Sequence, residues 1–155
     1  MVSCIHSVFI APESIIGGRI VGFGKTLVLY LATFGVFFII DLIWLGIMNG
    51  RFYKKELSAL MAEKVKWLPA IIFYLLFVFA ALVLVILPAL DKGSWLNALL
   101  YGALLGMISY GTYDFTNLAS IRDWPLKVTF VDIIWGTVLS TSVSTIGYFI
   151  GTAIG

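Results

Sequence analysis

Four apolar stretches alternate along the chain with short polar connections. They run from about Thr26 to Met48, Leu68 to Leu90, Trp95 to Ala119 and Leu126 to Thr152. A run of about 20 apolar residues matches the hydrocarbon thickness of a bilayer. Each stretch is apolar all round rather than along one stripe, as lipid-facing helices are. A helix also keeps its backbone hydrogen bonds internal, which lipid demands. The pattern predicts four membrane spans, and the short connections make sequential spans antiparallel neighbours. The expected fold is all-α, an integral membrane four-helix bundle, with residues 26–155 as a single transmembrane domain.

The segment from Gly50 to Lys66 has a different period. Tyr53, Leu57, Leu60, Met61 and Val65 recur at helical spacing, and Lys54, Lys55, Glu56, Glu63, Lys64 and Lys66 fill the other face. This predicts a short amphipathic helix on the membrane surface; a solvated helical arm is the plainer alternative. Residues 1–25 read as an N-terminal extension. They lack the basic start and cleavage pattern of a signal peptide. Gly17, Gly18 and Arg19 are encodable by a ribosome-binding sequence, with Val21 as a start, so residues 1–20 are expected to lie upstream of the true start. A short periplasmic arm is the alternative.

Composition agrees with the pattern. The 155 residues are 61% hydrophobic and 12% charged, about half the charge density of a soluble domain. So few charges cannot cover a small globule, which has a large surface for its volume. A disordered chain and a nucleic-acid binder are excluded with it, leaving the lipid bilayer as the expected partner. Cys4 is the single cysteine and His6 the single histidine. That removes internal disulfides, His/Cys metal centres and a Ser-His-Asp triad within one chain, and no cofactor is expected. Seven of the ten Lys and Arg residues (Arg51, Lys54, Lys55, Lys64, Lys66, Arg122 and Lys127) fall at one end of the predicted bundle. The positive-inside rule puts loops 49–67 and 120–125 in the cytoplasm and both termini outside.

Three acids interrupt the spans: Asp41, Asp114 and Asp132. A carboxylate at a helix centre costs about 2.5–3.5 kcal/mol on insertion, so such groups usually face a bundle interior or wet cavity. The rise per residue puts all three roughly 8–12 Å below the basic face. Gly102, Gly106, Tyr110, Asp114 and Asn117 share one face of the third span. Asp132, Gly136, Ser140, Ser144, Gly147 and Gly151 share one face of the fourth. Small residues permit close helix approach, so both stripes are expected to look inward or to offer a homodimer interface. The predicted centre holds Asp41, Asp114, Asp132, Tyr110 and Asn117 beneath a rim of Arg122 and Lys127. Two segments echo each other, Asp41-Leu-Ile-Trp44 and Asp132-Ile-Ile-Trp135, each with an indole one turn from an acid.

The strings Tyr110-Gly-Thr-Tyr-Asp-Phe-Thr-Asn-Leu-Ala119, Arg122-Asp-Trp-Pro125 and Val131-Asp-Ile-Ile-Trp-Gly-Thr137 carry a family likeness, as does Asp41-Leu-Ile-Trp-Leu-Gly46 followed by Phe52-Tyr53. Together they resemble a bacterial family of small multi-pass membrane proteins known by the label domain of unknown function 2177. The resemblance covers about Thr26 to Ile150 and implies a bacterial membrane protein. It carries over no catalytic residue.

Three functions suit these features. An acidic pocket could bind a proton, a cation or a small cationic solute, as in a small transporter or channel. Asp114 and Asp132 would then be ligands or proton acceptors, Asp41 a third acid, and Asn117 and Tyr110 neutral oxygen donors. Oxygen ligands without His or Cys suit hard cations or protons. A membrane-embedded enzyme acting on a lipid or isoprenoid is the second reading. The third is a structural or assembly protein whose acids hold the bundle together.

Overall fold

A computed structural model of the chain describes residues 13–16, 19–58, 60, 61, 64 and 66–155, with side chains from residue 22 onward. Cys4, His6 and most of the expected extension lie outside the described residues, as do Glu63 and Val65 of the expected amphipathic helix. Two short strands, β1 (Glu13–Ile16) and β2 (Arg19–Gly22), pair antiparallel and lead directly into the first helix.

Helix α1 runs over Phe23–Met48 and continues through a π-helical turn, Asn49–Tyr53, and one α-helical turn, Lys54–Glu56. Helix α2 spans Trp67–Asp91, with a π-helical segment at Leu82–Ile86. Helix α3 is Trp95–Ser120 and helix α4 is Leu126–Ile154. The all-α bundle is as expected. The helical part of the 50–66 segment is an extension of α1 through Glu56. The chain leaves the helix at Leu57, whose φ and ψ are −112° and 16°.

Among the described residues, α1 with its extension, α2 and α4 are each long and apolar enough to cross a membrane. The expected third span, α3, has 26 residues but is the least apolar of the four. Asn97, Ser109, Thr112, Asp114, Thr116 and Asn117 lower its hydropathy. Four spans were predicted from the sequence; among the described residues α3 is not one of the helices apolar enough to cross a membrane by composition, and it packs closely along α4 through small residues.

Helix α4 is the hub, packing on α3, α1 and the second half of α2. Its contact with α3 is set by glycine. A Cβ on Gly106 would fall 2.2 Å from the Gly136 carbonyl oxygen, and one on Gly136 would fall 2.1 Å from the Tyr110 ring. A Cβ on Gly102 would meet Ser144 at 2.8 Å. Both small-residue stripes are therefore used within the chain. Further along α4, Gly147 and Gly151 admit Ile86 and Leu90 of α2.

The core falls into apolar clusters between these helices. Phe37, Phe77, Val78, Leu139 and Val143 form the middle one, and Leu29, Leu82, Ile86 and Leu87 form another. Large side chains such as Leu31, Ile39, Ile43, Ile72, Leu76, Leu104, Ile108 and Ile134 point outward. A soluble protein rarely shows so continuous an apolar exterior; a lipid-facing bundle requires it.

In the turn from α3 to α4, Pro125 is the residue before the first helical turn of α4, and Asp123 adopts φ 60°, a left-handed conformation that Asp tolerates better than most residues.

Candidate functional site

The acids sit where the helix ends predict. Asp114 lies six residues before the end of α3, and Asp132 lies six residues after the start of α4. These offsets correspond to roughly 9 Å of helix from the shared turn. Asp41 lies seven residues before Met48 in α1, at the same end of the bundle. Antiparallel packing of α3 on α4 runs through Gly102 with Ser144, Gly106 with Ser140, and Tyr110 with Gly136. One further four-residue step along each helix brings Asp114 opposite Asp132, and the two carboxylates are electrostatic neighbours.

Their surroundings differ sharply. Asp41 is 6% exposed and accepts a 2.8 Å hydrogen bond from the Tyr74 hydroxyl of α2. Asp132 is half-buried and accepts the hydroxyl of Tyr53, from the π-helical turn that extends α1. Tyr53 in turn accepts the Trp44 indole N–H at 3.1 Å. Asp114 is fully buried, and neither of its carboxylate oxygens has a hydrogen-bond partner.

The two Asp-x-x-Trp segments meet. Trp44 and Trp135 stack with ring centroids 4.1 Å apart and planes 5° from parallel. The partnership is crossed. Trp44, one turn after Asp41, joins the hydrogen bonds on Asp132. Trp135, one turn after Asp132, lies beside the Asp41 carboxylate.

Of the residues expected at the centre, Tyr110 packs its ring on Gly136 and interacts electrostatically with both Asp41 and Asp132. Asn117 is half-buried, about one turn past Asp114 toward the α3–α4 turn. The rim residues Arg122 and Lys127 are exposed. The hydroxyls on the acids come from Tyr74 and Tyr53, which sequence reasoning had not chosen. Tyr74 sits in an otherwise apolar span and offers no pattern. Tyr53 carried a misleading signal, because its helical spacing with Leu57 and Leu60 put it on the lipid face of a surface helix. The available signal was its nearness to the end of α1, within reach of the acid end.

Among the described residues, no group of three or more His, Cys, Asp or Glu side chains is placed to hold a metal ion. Chemically, the site is a pair of facing carboxylates, one tied to a tyrosine and one bare, with the indole stack linked to Asp132 through Tyr53 and lying beside Asp41.

No curated protein and no solved structure matches this chain. A family model described as a predicted membrane protein matches residues 26–149, which covers the greater part of all four helices and all three acids. With most of its length covered by that one model, the chain belongs to the DUF2177 family of predicted membrane proteins.

Proposed function

We propose that the protein binds a proton, a cation or a small cationic solute at the Asp114–Asp132 pair and works as a small transporter or channel. The observation that carries this reading is Asp114, fully buried with both carboxylate oxygens unpartnered. Buried polar groups nearly always have partners, and an uncompensated buried charge is costly. A proton or cation on Asp114 removes that cost. It also relieves repulsion between two facing carboxylates in a low dielectric. Asp41 and Asp132 are already engaged by tyrosines, so Asp114 is the acid left to take a ligand.

The reading places the protein in a bacterial inner membrane with loops 49–67 and 120–125 cytoplasmic. Seven of the ten basic residues at that end support the orientation. Four helices enclose little space, so the proposal includes a homodimer. With the glycine stripes occupied by contacts of α4 with α3 and α2, its interface is built from other faces.

Thermal unfolding in nanodiscs tests the site, across pH and with Na⁺, K⁺, Mg²⁺ and Ca²⁺, on the wild type and Asp114→Asn. A ligand that binds only the folded state raises Tm by mass action. The expected result is a rise in Tm on acidification or with one of the cations, absent in the variant. A flat response in the wild type, with the variant folded and equally stable, removes the proposal.

A structural role has one observation in its favour. The tyrosine bonds to Asp41 and Asp132 tie α1 to α2 and α1 to α4. Full tolerance of Asp→Asn at all three positions would support that role alone.

A further inference from the structure

We infer that Tyr53 is the positioning residue that controls access to Asp114 from the α1–α2 loop end of the bundle. The inference rests on the reading of Asp114 as the acid that takes the ligand.

Asp114 is fully buried, so nothing reaches it without movement of a covering group. One direction is closed by backbone. Along the α3–α4 contact away from the acids, Gly106 and Gly136 touch so closely that even a methyl group has no room, and the Tyr110 ring is seated on Gly136. Opening that side would require two long helices to separate.

In the other direction stands a side chain. Asp132, the electrostatic neighbour of Asp114, accepts the Tyr53 hydroxyl, and Tyr53 is itself an electrostatic neighbour of Asp114. Tyr53 stands on the last helical turns before the chain leaves the helix at Leu57, next to exposed Arg51, Lys54 and Lys55. Among the described residues it belongs to none of the buried apolar clusters. Its hydroxyl is held by the two polar bonds to Asp132 and Trp44, and its ring meets Phe52 edge-on. Segments held by few buried apolar contacts open at the lowest free energy. The turn that carries it is π-helical, a geometry that recurs at functional sites because one extra residue redirects the side chains after it.

Chemistry links the cover to the ligand. Tyr53 donates to an Asp132 carboxylate oxygen, and the same lone pairs would receive a proton or cation entering from the loop end. Loading Asp132 therefore competes with the Tyr53 bond, and passage onward to Asp114 follows release of the cover.

The test follows the labelling of Asp114 by dicyclohexylcarbodiimide in nanodiscs. A protonated carboxyl adds across one C=N bond of this apolar reagent. Its acyl group then migrates to nitrogen, leaving a stable N-acylurea that peptide mass spectrometry locates. Wild type, Tyr53→Phe, Trp44→Phe and Asp114→Asn are compared at matched Tm. Labelling of Asp114 is expected to be about tenfold faster in Tyr53→Phe. A smaller rise is expected in Trp44→Phe, which loosens the same hydroxyl and provides the comparison if Tyr53→Phe does not fold. The part of the Tm response that Asp114→Asn abolishes should persist in both variants, because Asp114 itself is unchanged. Unchanged labelling rates in the folded variants would overturn the role of Tyr53 and leave the Asp114 reading standing. No labelling of Asp114 in any variant at any pH, with no Tm response, would overturn both.

Discussion

Trp44 and Trp135 stack face to face, 91 positions apart in sequence, with ring centroids separated by 4.1 Å. Each follows an acid by three residues, and the two Asp-x-x-Trp turns lie against each other with α1 arriving at the acid end and α4 leaving it. The arrangement explains the recurrence of the short segment without a duplicated helix. Two antiparallel turns of the same kind satisfy one another, each indole serving the other turn's acid. A double-mutant cycle of Trp44→Leu and Trp135→Leu should return a coupling of about 1 kcal/mol, the range for aromatic pairs. Additive losses in detergent-micelle unfolding would show that the stack contributes only burial.

The Tyr74 hydroxyl donates to Asp41 at 2.8 Å, joining α2 to α1. Removing the hydroxyl leaves a carboxylate that is 6% exposed with only the Trp135 indole beside it. Tyr74→Phe should therefore destabilise the protein by about 1–2 kcal/mol, the upper range for hydrogen bonds in membranes. Asp41→Asn keeps an acceptor for the same hydroxyl and should cost less. Equal losses from the two variants in the same unfolding assay would contradict this account.

These contacts mark where sequence reading succeeded and where it stopped. Hydropathy and the rise per residue placed Asp41, Asp114 and Asp132 at one end of the bundle, because depth along a straight helix follows from counting. The small-residue periodicity of α3 and α4 marked faces that do meet, because close approach needs missing side chains at regular steps. The bonds that Tyr53 and Tyr74 make to the acids were not legible. Their partners lie 79 and 33 residues away, and the direction of Tyr53 depends on a π-helical turn that breaks the 3.6-residue phase on which face assignments rest. Tyr110, expected on α3 as a neutral donor, lies on the face toward α4. Yet Tyr110 uses its ring against Gly136, so its position on the inner face did not determine its bonding.

The α3–α4 contact makes a sharp contrast among glycines. Gly106→Ala drives a methyl carbon into the Gly136 backbone carbonyl, and Gly136→Ala drives one into the Tyr110 ring. Neither neighbour is the free end of a flexible chain. Each variant should lose about 1–3 kcal/mol, as overpacked cores do. Gly46→Ala, with nothing within 4 Å of the added carbon, should be neutral or gain up to about 1 kcal/mol of helix propensity. Denaturant titration of the three variants checks the order. A Gly46→Ala loss as large as that of Gly106→Ala would remove close packing as the explanation.

The three acids should separate when each is replaced by Leu. Asp41→Leu and Asp132→Leu each leave a tyrosine hydroxyl without its acceptor, at a cost of about 1–3 kcal/mol. Asp114→Leu breaks no hydrogen bond. It removes a fully buried carboxylate that also repels Asp132, so at pH 8 and without added cation it should raise stability by about 1 kcal/mol or more. The sign of the pH dependence follows from the charge. Lowering pH protonates the wild-type acid and removes the repulsion, so the advantage of the variant shrinks on acidification. Asp114→Leu unfolding below the wild type at pH 8 would mean that the carboxylate is held by a partner in the membrane, and would move the search for the bound group to that partner.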